Sequence, residues 1–420
     1  MNCSIAIACT AFVLSACERS QVPSGRPIDK PASTERTLSP PSSAQPSSTP
    51  ASASPLRFPE QPRLALGSAH SCFLDKKKQV WCWGSNLFGE IGNGKHGWTG
   101  SLEEMDNPDS HVSIPYRLPL TGVSHIAARD GQSCAVDKDS TFYAWGMGEG
   151  PQKYEQRFVD KPIRRKTPQP AVRLSPGLKT CIVGKNGLPY CAGLKTDRQE
   201  EEVANRSNEY GFYDFKLISD LGPILDIASS LQATCAVRTD TSIWCWGINR
   251  YGELGKSRSD SATPVMIASL NATRVYAGNS HFCSKTEGGQ VTCWGANWDL
   301  QSGAAQTTPS MPTSVELPDQ VVQMALGTGT TLALLKTGKV YRWGAEKLGV
   351  LNTPEDKSFA PVRVSSLSEV IEIAIGNGHA CVLRADETVW CWGQGDDYQL
   401  GNGKNDDSSV PVKVIFPEQL

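Results

Sequence analysis

The stretch that decides the fold is His70-Ser71-Cys72, followed by a polar turn and then by Trp81-Cys82-Trp83-Gly84. The same phrase, whole or in part, occurs seven times along the 420 residues. Its successive Trp-Gly landmarks are 62, 47, 54, 48, 49 and 49 residues apart. A period near 50 residues is too long for helix-pair or leucine-rich repeats and is typical of a four-stranded propeller blade. The seven landmarks, or the residues that replace them, are Trp83, Trp145, Ala192, Trp246, Trp294, Trp343 and Trp392.

The last copy shows how one repeat divides into strands. Residues 370–375 are an apolar run, residues 376–378 are a Gly-Asn-Gly turn, and residues 379–383 are a second strand. A polar turn leads to a third strand at residues 388–392, and a Pro-Val-x-Val unit at residues 411–414 supplies the fourth. No segment has a sustained apolar period of 3.6 residues. We therefore expect an all-β, seven-bladed β-propeller.

Five copies carry two cysteines separated by nine residues. If the flanking strands form a hairpin, the paired cysteines face each other closely enough for a disulfide. The turn is then centred on Lys77, Asn186, Asp240, Gly288 or Asp386, where a residue that tolerates positive φ is expected. Zinc binding, for which the chain has no Cys-x2-Cys spacing, and buried thiols are the alternatives. The expected disulfides join Cys72 to Cys82, Cys181 to Cys191, Cys235 to Cys245, Cys283 to Cys293 and Cys381 to Cys391.

The N-terminus has the features of an export signal. Residues 4–14 are apolar but too few to span a bilayer. They end at Leu14-Ser15-Ala16-Cys17, which resembles a bacterial lipobox. The resemblance implies cleavage before Cys17, attachment of lipid to that residue, and a membrane-anchored lipoprotein at the cell envelope, at the outer membrane. An ordinary signal peptide cleaved after Ala16 is the alternative.

The segment after Cys17 has the composition of a tether. Residues 18–60 include nine Pro, ten Ser and three Thr among 43 residues, with few large apolar side chains. Such a segment cannot bury enough surface to offset its ordering entropy, so we expect disorder. The predicted organisation is a signal peptide over residues 1–16, a lipid-anchored disordered linker over residues 17–60, and the propeller over residues 61–420.

The cysteine count agrees with this organisation. Cys3 and Cys9 lie in the predicted signal, Cys17 takes the lipid, and ten of the other eleven cysteines are paired. The remaining one, Cys134, has Ala144 at its partner position. It is interpreted as half of a pair that lost one member, and a reactive or intermolecular thiol is the alternative.

Two recurring motifs resemble a known family. Residues 83–92 and 246–255 are similar to the Trp-Gly-x-Asn-x-x-Gly-Gln-Leu-Gly motif of the regulator-of-chromosome-condensation repeat family, and residues 67–70, 278–281 and 376–379 are similar to its Gly-x-x-His element. The resemblance implies a seven-bladed propeller closed by joining the chain ends, so that residues 410–415 would complete the blade that begins near Leu64. Departures occur in the second copy, where Arg129 and Gln132 replace Gly and His, in the third, which lacks the landmark Trp, and in the sixth, which lacks cysteines.

The sequence shows no catalytic motif, cofactor site or metal site. His70, His281 and His379 stand at repeat positions, so a structural hydrogen-bonding role is favoured for them. A net charge of −2, a pI near 6.3 and the lack of a basic stripe argue against nucleic acid as a partner. Founding members of the family exchange guanine nucleotide on a small GTPase in the nucleus, a partner that an exported chain would not meet.

Function is expected in the segments that differ between repeats. Inserted loops on a rigid scaffold often carry binding, and exposed aromatic residues make good interface anchors. The alternative is that these residues pack onto their own blades. We predict a non-enzymatic cell-envelope scaffold that binds a protein through one propeller face; a glycan-binding propeller and an envelope enzyme with a central-channel site are the alternatives. The candidate residues, within residues 95–118 and 194–216, are Trp98, Glu103, Glu104, Tyr116, Tyr210, Phe212 and Tyr213.

Overall fold

The computed structural model describes residues 61–98, 107–147, 158–177, 179–193, 215–256, 259–307, 310–345 and 357–417. They form seven four-stranded antiparallel sheets and one short 3-10 turn, Ser219–Leu221. Within these ranges, no helix is long and apolar enough to cross a membrane. The all-β, seven-bladed prediction is confirmed. Residues 1–60 lie outside the described residues, so the signal, the Cys17 lipid site and the tether stay predictions.

Each blade is a meander of four consecutive strands, with chain order equal to spatial order. The first three blades are β1 (Leu64–Leu66), β2 (His70–Leu74), β3 (Val80–Ser85) and β4 (His111–Arg117); β5 (Val123–Arg129), β6 (Gln132–Asp137), β7 (Phe142–Met147) and β8 (Phe158–Arg165); and β9 (Ala171–Ser175), β10 (Lys179–Gly184), β11 (Pro189–Gly193) and β12 (Lys216–Leu217). The fourth and fifth are β13 (Ile224–Ser229), β14 (Ala233–Arg238), β15 (Ser242–Gly247) and β16 (Ser261–Asn271); and β17 (Arg274–Ala277), β18 (His281–Lys285), β19 (Val291–Gly295) and β20 (Ser310–Val315). The last two are β21 (Val321–Leu326), β22 (Thr330–Leu335), β23 (Val340–Ala345) and β24 (Lys357–Arg363); and β25 (Val370–Ile375), β26 (His379–Arg384), β27 (Val389–Gly393) and β28 (Ser408–Lys413).

The second and third strands of each blade pair in the register that the cysteine spacing predicts. The structure joins all five expected pairs by disulfides, with Cα atoms 4.0 to 4.1 Å apart. In the second blade Cys134 lies directly opposite Ala144 and is a buried thiol outside any disulfide. The cysteines therefore cross-link hairpins within blades.

The turn within these hairpins differs from the prediction by one residue. Positive φ falls at Lys78, Thr241 and Glu387, each one position after the predicted centre. In the fourth blade the Asp240 carboxylate accepts a hydrogen bond from the backbone N–H of Ser242 at 3.1 Å. Asp or Asn at the centre therefore serves as an acceptor in an Asx turn, and the next residue takes the left-handed position of a three-residue hairpin loop.

The hydrophobic core lies between neighbouring blades. One cluster joins Trp83 of the first blade to Leu383 and Leu400 of the seventh, and another joins Ile91 of the first blade to Trp145 of the second. Each blade therefore buries its apolar faces only when a neighbour is present on both sides, which requires the ring to close.

The ring closes without a shared strand, so the closure implied by the resemblance is wrong. β28 pairs with β27 in the seventh blade and β1 pairs with β2 in the first, because the repeat begins at the innermost strand and each blade is complete before the next begins. Closure is made largely by side chains, with one backbone bond, from the N–H of Gly403 to the carbonyl of Ser113 at 3.1 Å. Phe416, which follows β28, packs on Phe73 and Trp81 of the first blade, with ring centroids 5.7 and 5.6 Å apart.

Alternating strand directions place the connections on two opposite faces. The first-to-second and third-to-fourth connections of every blade lie on one face, which carries the Gly-x-x-His and Trp-Gly-x-Asn motifs and is called the motif face here. The second-to-third hairpins and the links between blades lie on the other, the hairpin face. Both expanded connections, from β3 to β4 and from β11 to β12, leave from the motif face.

The outermost strands form the rim of the propeller, and their free edges are blunted. Six of the seven contain a proline, which removes a backbone donor from the exposed edge. The exception, β12, is only two residues long. Strand addition at the rim is therefore disfavoured. The six prolines are Pro115, Pro162, Pro264, Pro312, Pro361 and Pro411.

Candidate interaction face

A recurring polar latch joins neighbouring blades at the motif face. At the closure of the ring, His379 Nε2 lies 2.8 Å from Ser71 Oγ, which donates to the carbonyl of Gln399 at 3.1 Å. Trp83 Nε1 donates to the same carbonyl at 2.9 Å. Two other junctions repeat the arrangement with the sets His70, Ser133, Glu90 and Trp145, and His281, Thr331, Gln301 and Trp343.

The latch fixes the protonation of the histidines. Because the hydroxyl hydrogen of Ser71 points at a carbonyl, its oxygen must accept from His379, so Nε2 carries the proton. Burial lowers the pKa of His379 and His281 to about 3 and that of His70 to about 4. These imidazoles are neutral structural donors at neutral pH, unsuited to exchanging protons with a substrate.

Two glycines of the repeat are required by close approach. A Cβ atom on Gly278 would collide with the imidazole of His281, three residues later. Gly84 of the Trp-Gly landmark has φ of 105°, and a Cβ there would lie 2.6 Å from the carbonyl oxygen of Ala69. Both motifs therefore bring backbone against a side chain or backbone of the adjacent strand.

The departures in the second blade have distinct physical roles. Gln132 still serves the junction, since Thr180 Oγ1 donates to its Oε1 at 3.1 Å. Arg129 extends across the propeller axis instead, donating to the carbonyls of Ser229 at 3.0 Å and Gly278 at 2.8 Å. One arginine in place of a glycine thus ties the second blade to the fourth and fifth.

Arg129 belongs to a polar network over the end of the central channel. Asn279 Nδ2 donates to Thr328 Oγ1 at 2.8 Å, and Asn377 Nδ2 donates to Ser68 Oγ at 2.8 Å. The channel below has a volume of about 250 Å³ and is lined by the innermost strands. Among the described residues, its lining contains one carboxylate, Asp130, and one imidazole, His125.

A second set of junction bonds, the inner latches, lies on the innermost strands. Glu372 Oε1 accepts the backbone N–H groups of Arg63 and Leu64, both at 2.7 Å. Burial raises the pKa of Glu372 to about 7. Equivalent bonds join Gln323 to the N–H of Ile373 at 2.9 Å and Asp226 to the N–H of Val275 at 3.1 Å.

The Trp-Gly-x-Asn connections are rigid. In the fourth blade Asn249 Oδ1 accepts the N–H of Leu254 at 2.9 Å, and its Nδ2 donates to the carbonyl of Ser259 at 3.2 Å. The Glu253 carboxylate accepts the N–H of Tyr251 at 2.8 Å. The polar residues that define the motif are thus engaged in holding the backbone, and they present a fixed platform.

Aromatic side chains stand on this platform between blades. Trp298 is 44% exposed and meets Tyr251 of the preceding blade edge to face, with ring centroids 4.3 Å apart. Tyr398 and Phe88 are partly buried on the same face. The sequence reasoning missed Tyr251, Trp298 and Tyr398, although aromatics four to six residues after the landmark Trp were the available signal.

The structure places the predicted loop residues in different environments. Trp98 is partly buried and packs on Phe88 of its own blade at 5.7 Å, which is the alternative that the sequence left open. Tyr116 belongs to β4, opposite Cys82, so its 41% exposed side chain lies at the rim and not in the inserted loop. The other candidates lie outside the described residues: Glu103, Glu104, Tyr210, Phe212 and Tyr213.

The described part of the chain holds no group of three or more His, Cys, Asp or Glu side chains arranged to bind a metal ion.

The regulator of chromosome condensation (RCC1) repeat model matches residues 337–383 and 386–420, and a second model of that repeat matches residues 63–90 and 370–399. These matches, on a ring of seven four-stranded blades, decide the family. The chain belongs to the RCC1 repeat family.

Relatives of this RCC1 repeat protein have diverse roles. The guanine nucleotide exchange factor SRM1 of Saccharomyces cerevisiae is 24% identical over 357 residues, covering 71% of this chain and 73% of its own length. The ultraviolet-B receptor UVR8 of Arabidopsis thaliana is 25% identical over 368 residues, covering 84% and 81%. The structure of S. cerevisiae Prp20p, described with its binding to Gsp1p and histones, superposes with a TM-score of 0.68 at 18% identity, covering 86% of this chain and 88% of Prp20p. The last similarity shows the fold alone.

Proposed function

We propose that this RCC1 repeat protein is a non-enzymatic scaffold of the cell envelope that binds a partner protein through its motif face. The observation that carries the proposal is a difference between the two faces. The hairpin-face connections, all of which the structure describes, contain no aromatic residue. The described motif-face connections contain six: Phe88, Trp98, Phe215, Tyr251, Trp298 and Tyr398.

Two further features support protein binding at that face. Aromatic residues are enriched among interface hot spots, and the hydrogen-bonded connections that carry them are already ordered, so little entropy is lost on binding. The proline-blunted rim disfavours partner recruitment by strand addition. Prp20p, which has the same fold, is described as binding Gsp1p and histones. Guanine nucleotide exchange is not part of the proposal, because the predicted export signal would separate this chain from a small GTPase.

The experiment compares two exposed aromatic side chains in otherwise identical full-length protein. Trp298→Ala removes the most exposed of the described motif-face aromatics, and Phe359→Ala removes one of similar exposure, 47% against 44%, from the rim strand β24. Envelope extracts would be cross-linked to each variant and the bound proteins quantified by mass spectrometry. We expect the Trp298 variant to lose proteins that the parent and the Phe359 variant retain. Equal recovery by all three would contradict the use of the motif face.

Glycan binding is the second candidate function. Tyr251 and Trp298 meet at the junction of the fourth and fifth blades, and Phe88 and Trp98 stand together on the first, so aromatic pairs recur on one face. Aromatic surfaces of this kind suit the apolar faces of sugar rings. Retention of the protein on immobilised envelope polysaccharide, lost in Trp298→Ala, would favour this reading over protein binding.

We also propose that the protein is exported and held at the envelope by lipid on Cys17. Five disulfides support an oxidising compartment, since such bonds are rare in reducing ones. Cys17→Ser should move the protein from the membrane fraction to the soluble envelope fraction. Unchanged membrane retention, with the disulfides still formed, would remove the lipid anchor from the proposal and leave export in place.

A further inference from the structure

We infer that the partner of the motif face is cationic, a protein surface or segment rich in Lys and Arg. The inference rests on the proposed function, because it names the chemistry of the partner that this face would bind. It is carried by two observations: the unequal distribution of charge between the faces, and the aromatic side chains that stand among the carboxylates of one of them.

The charge balance differs between the faces. The described motif-face connections hold ten Asp and Glu, of which Glu90 and Glu253 are buried, against four Lys and Arg, whereas the hairpin-face connections hold ten against eight. The carboxylates of the hairpin face are therefore largely balanced locally, as Lys138 and Asp139 illustrate at 3.4 Å. The face that carries the aromatics thus has the larger acidic excess.

Several carboxylates of the motif face are available to a partner. Asp396 and Asp406 are exposed and make no ion pair with any residue that the structure describes. Asp396 precedes Tyr398 by two residues on the same connection. A Lys or Arg side chain can pair with an exposed carboxylate, and its stem and charge can lie over an aromatic ring on the same face.

The junction of the fifth and sixth blades shows a lysine held by a motif-face carboxylate within the chain. Asp299 forms an ion pair with Lys357 at 2.7 Å, and the same ammonium donates to the carbonyl of Trp298 at 3.0 Å. A lysine from the sixth blade is thus held against an Asp and a Trp of the fifth. An incoming lysine or arginine could pair with Asp396 as Lys357 pairs with Asp299, since no lysine or arginine of the described residues pairs with Asp396.

The test compares charge neutralisation on the two faces. Asp396→Asn with Asp406→Asn removes two exposed charges from the motif face, and Asp139→Asn with Glu287→Gln removes two from the hairpin face. Both double variants change the net charge equally, and none of the four residues is in the core. The probe is fluorescent poly-L-lysine, with acetylated poly-L-lysine as the neutral counterpart, titrated into full-length protein at 50 and 200 mM salt.

We expect the motif-face variant to bind poly-L-lysine about three- to tenfold more weakly than the parent, as expected for two surface pairs of up to ~1 kcal/mol each. The hairpin-face variant should bind like the parent, and salt should weaken binding. Equal weakening in both variants, or none in either, would overturn the inference, because binding would then follow total charge. Equal affinity for acetylated poly-L-lysine or a neutral polysaccharide would also overturn it.

The outcome separates the inference from the proposed function. If poly-L-lysine does not bind but Trp298→Ala still loses a cross-linked envelope protein, the cationic partner is refuted and the scaffold stands. If neither the binding of poly-L-lysine nor the recovery of any envelope protein depends on the motif face, the cationic partner and the scaffold function are both refuted.

Discussion

Replacing Glu372 by Gln should change how the stability of the propeller depends on pH. Glu372 closes the ring on its inner side, where Oε1 accepts the N–H groups of Arg63 and Leu64. Its Oε2 is buried without a partner among the described residues, so the proton sits there when the side chain is neutral. Both ring-closing bonds therefore survive protonation, and they survive in Gln, whose Oε1 is the same acceptor.

The sign follows from the direction of the pKa shift. Burial raises the pKa of Glu372 from 4.5 to about 7, so between these values the folded state binds more protons than the unfolded state. The stability supplied by the neutral form is complete below pH 4.5 and is lost as the pH rises through 7. At 1.36 kcal/mol per pKa unit, the wild-type free energy of unfolding should fall by about 2–3 kcal/mol between pH 5 and pH 8 on account of this residue.

The assay is urea unfolding of the oxidised protein, followed by tryptophan fluorescence at pH 5 and pH 8. The quantity compared is the difference between Glu372→Gln and wild type, in which every other titrating group cancels. We expect this difference to shift by about 2–3 kcal/mol in favour of the variant at pH 8. The N–H groups of the new amide would be buried without acceptors, which lowers stability equally at both pH values and does not affect the comparison.

The chain offers a reciprocal control at the equivalent inner latch of the sixth blade. Gln323 already occupies that position with an amide, accepting the N–H of Ile373 at 2.9 Å. Gln323→Glu should therefore introduce the pH dependence that Glu372→Gln removes. Parallel stability profiles for wild type and both variants between pH 5 and pH 8 would refute the assignment of a raised pKa to the inner latch.

Three further predictions concern the repeat itself. Ala144→Cys places a thiol opposite Cys134 in the register of the other five pairs, so a sixth disulfide should form and stabilise the oxidised protein by about 2–3 kcal/mol. Non-reducing peptide mapping would detect the new disulfide. Ala144→Ser, which cannot form a disulfide, should give no such gain in stability. Gly278→Ala should destabilise the protein by at least ~2 kcal/mol in thermal unfolding. Gly288→Ala in the same blade, whose Cβ would have ordinary contacts, should destabilise it by less than ~1 kcal/mol. Equal losses of stability in the two variants would contradict the close-approach argument. His379→Gln should make the protein less sensitive to acid unfolding. The His379 imidazole has a pKa of about 3 in the folded state, so the wild type loses stability as the pH falls below 6.5, by about 2–3 kcal/mol at pH 4.5. Identical acid unfolding curves for the variant and the wild type would count against a neutral latch histidine.

The blades could be predicted from sequence because their determinants are local. Two cysteines nine residues apart, with a turn between them, set the register of one hairpin, and the structure has Cys72 opposite Cys82 as that spacing requires. The left-handed turn residue was misplaced by one position because Asp at the turn centre acts through its side-chain oxygen. Both Asp and Gly are common in turns, and composition does not separate those two mechanisms.

The closure and the latches were beyond the sequence because they join residues from different repeats. Ser71 and His379 are 308 positions apart, and nothing in either repeat alone shows that the Ser of one accepts from the His of another. Arg129 was visible as a departure from the motif, but its reach across the axis to Ser229 depends on the ring being closed. The contact between Tyr251 and Trp298 could not be foreseen for the same reason, since each residue belongs to a different blade.

The recurring polar residues are already used by the fold, and this bears on where function lies. The His of Gly-x-x-His donates to a hydroxyl of the next blade, and the motif Asn accepts a backbone N–H of its own connection. The motif Glu or Gln accepts a backbone N–H with its side chain and an indole N–H with its backbone carbonyl. A partner that engaged these groups would have to break bonds that keep the ring closed, at a cost of about 1–3 kcal/mol for each buried group left unsatisfied. Side chains that stand on the motif face without such duties, such as Trp298 and Asp406, can be contacted at no such cost. Binding therefore belongs to the residues in which the blades differ, and the recurring motif supplies the rigid surface on which they are displayed.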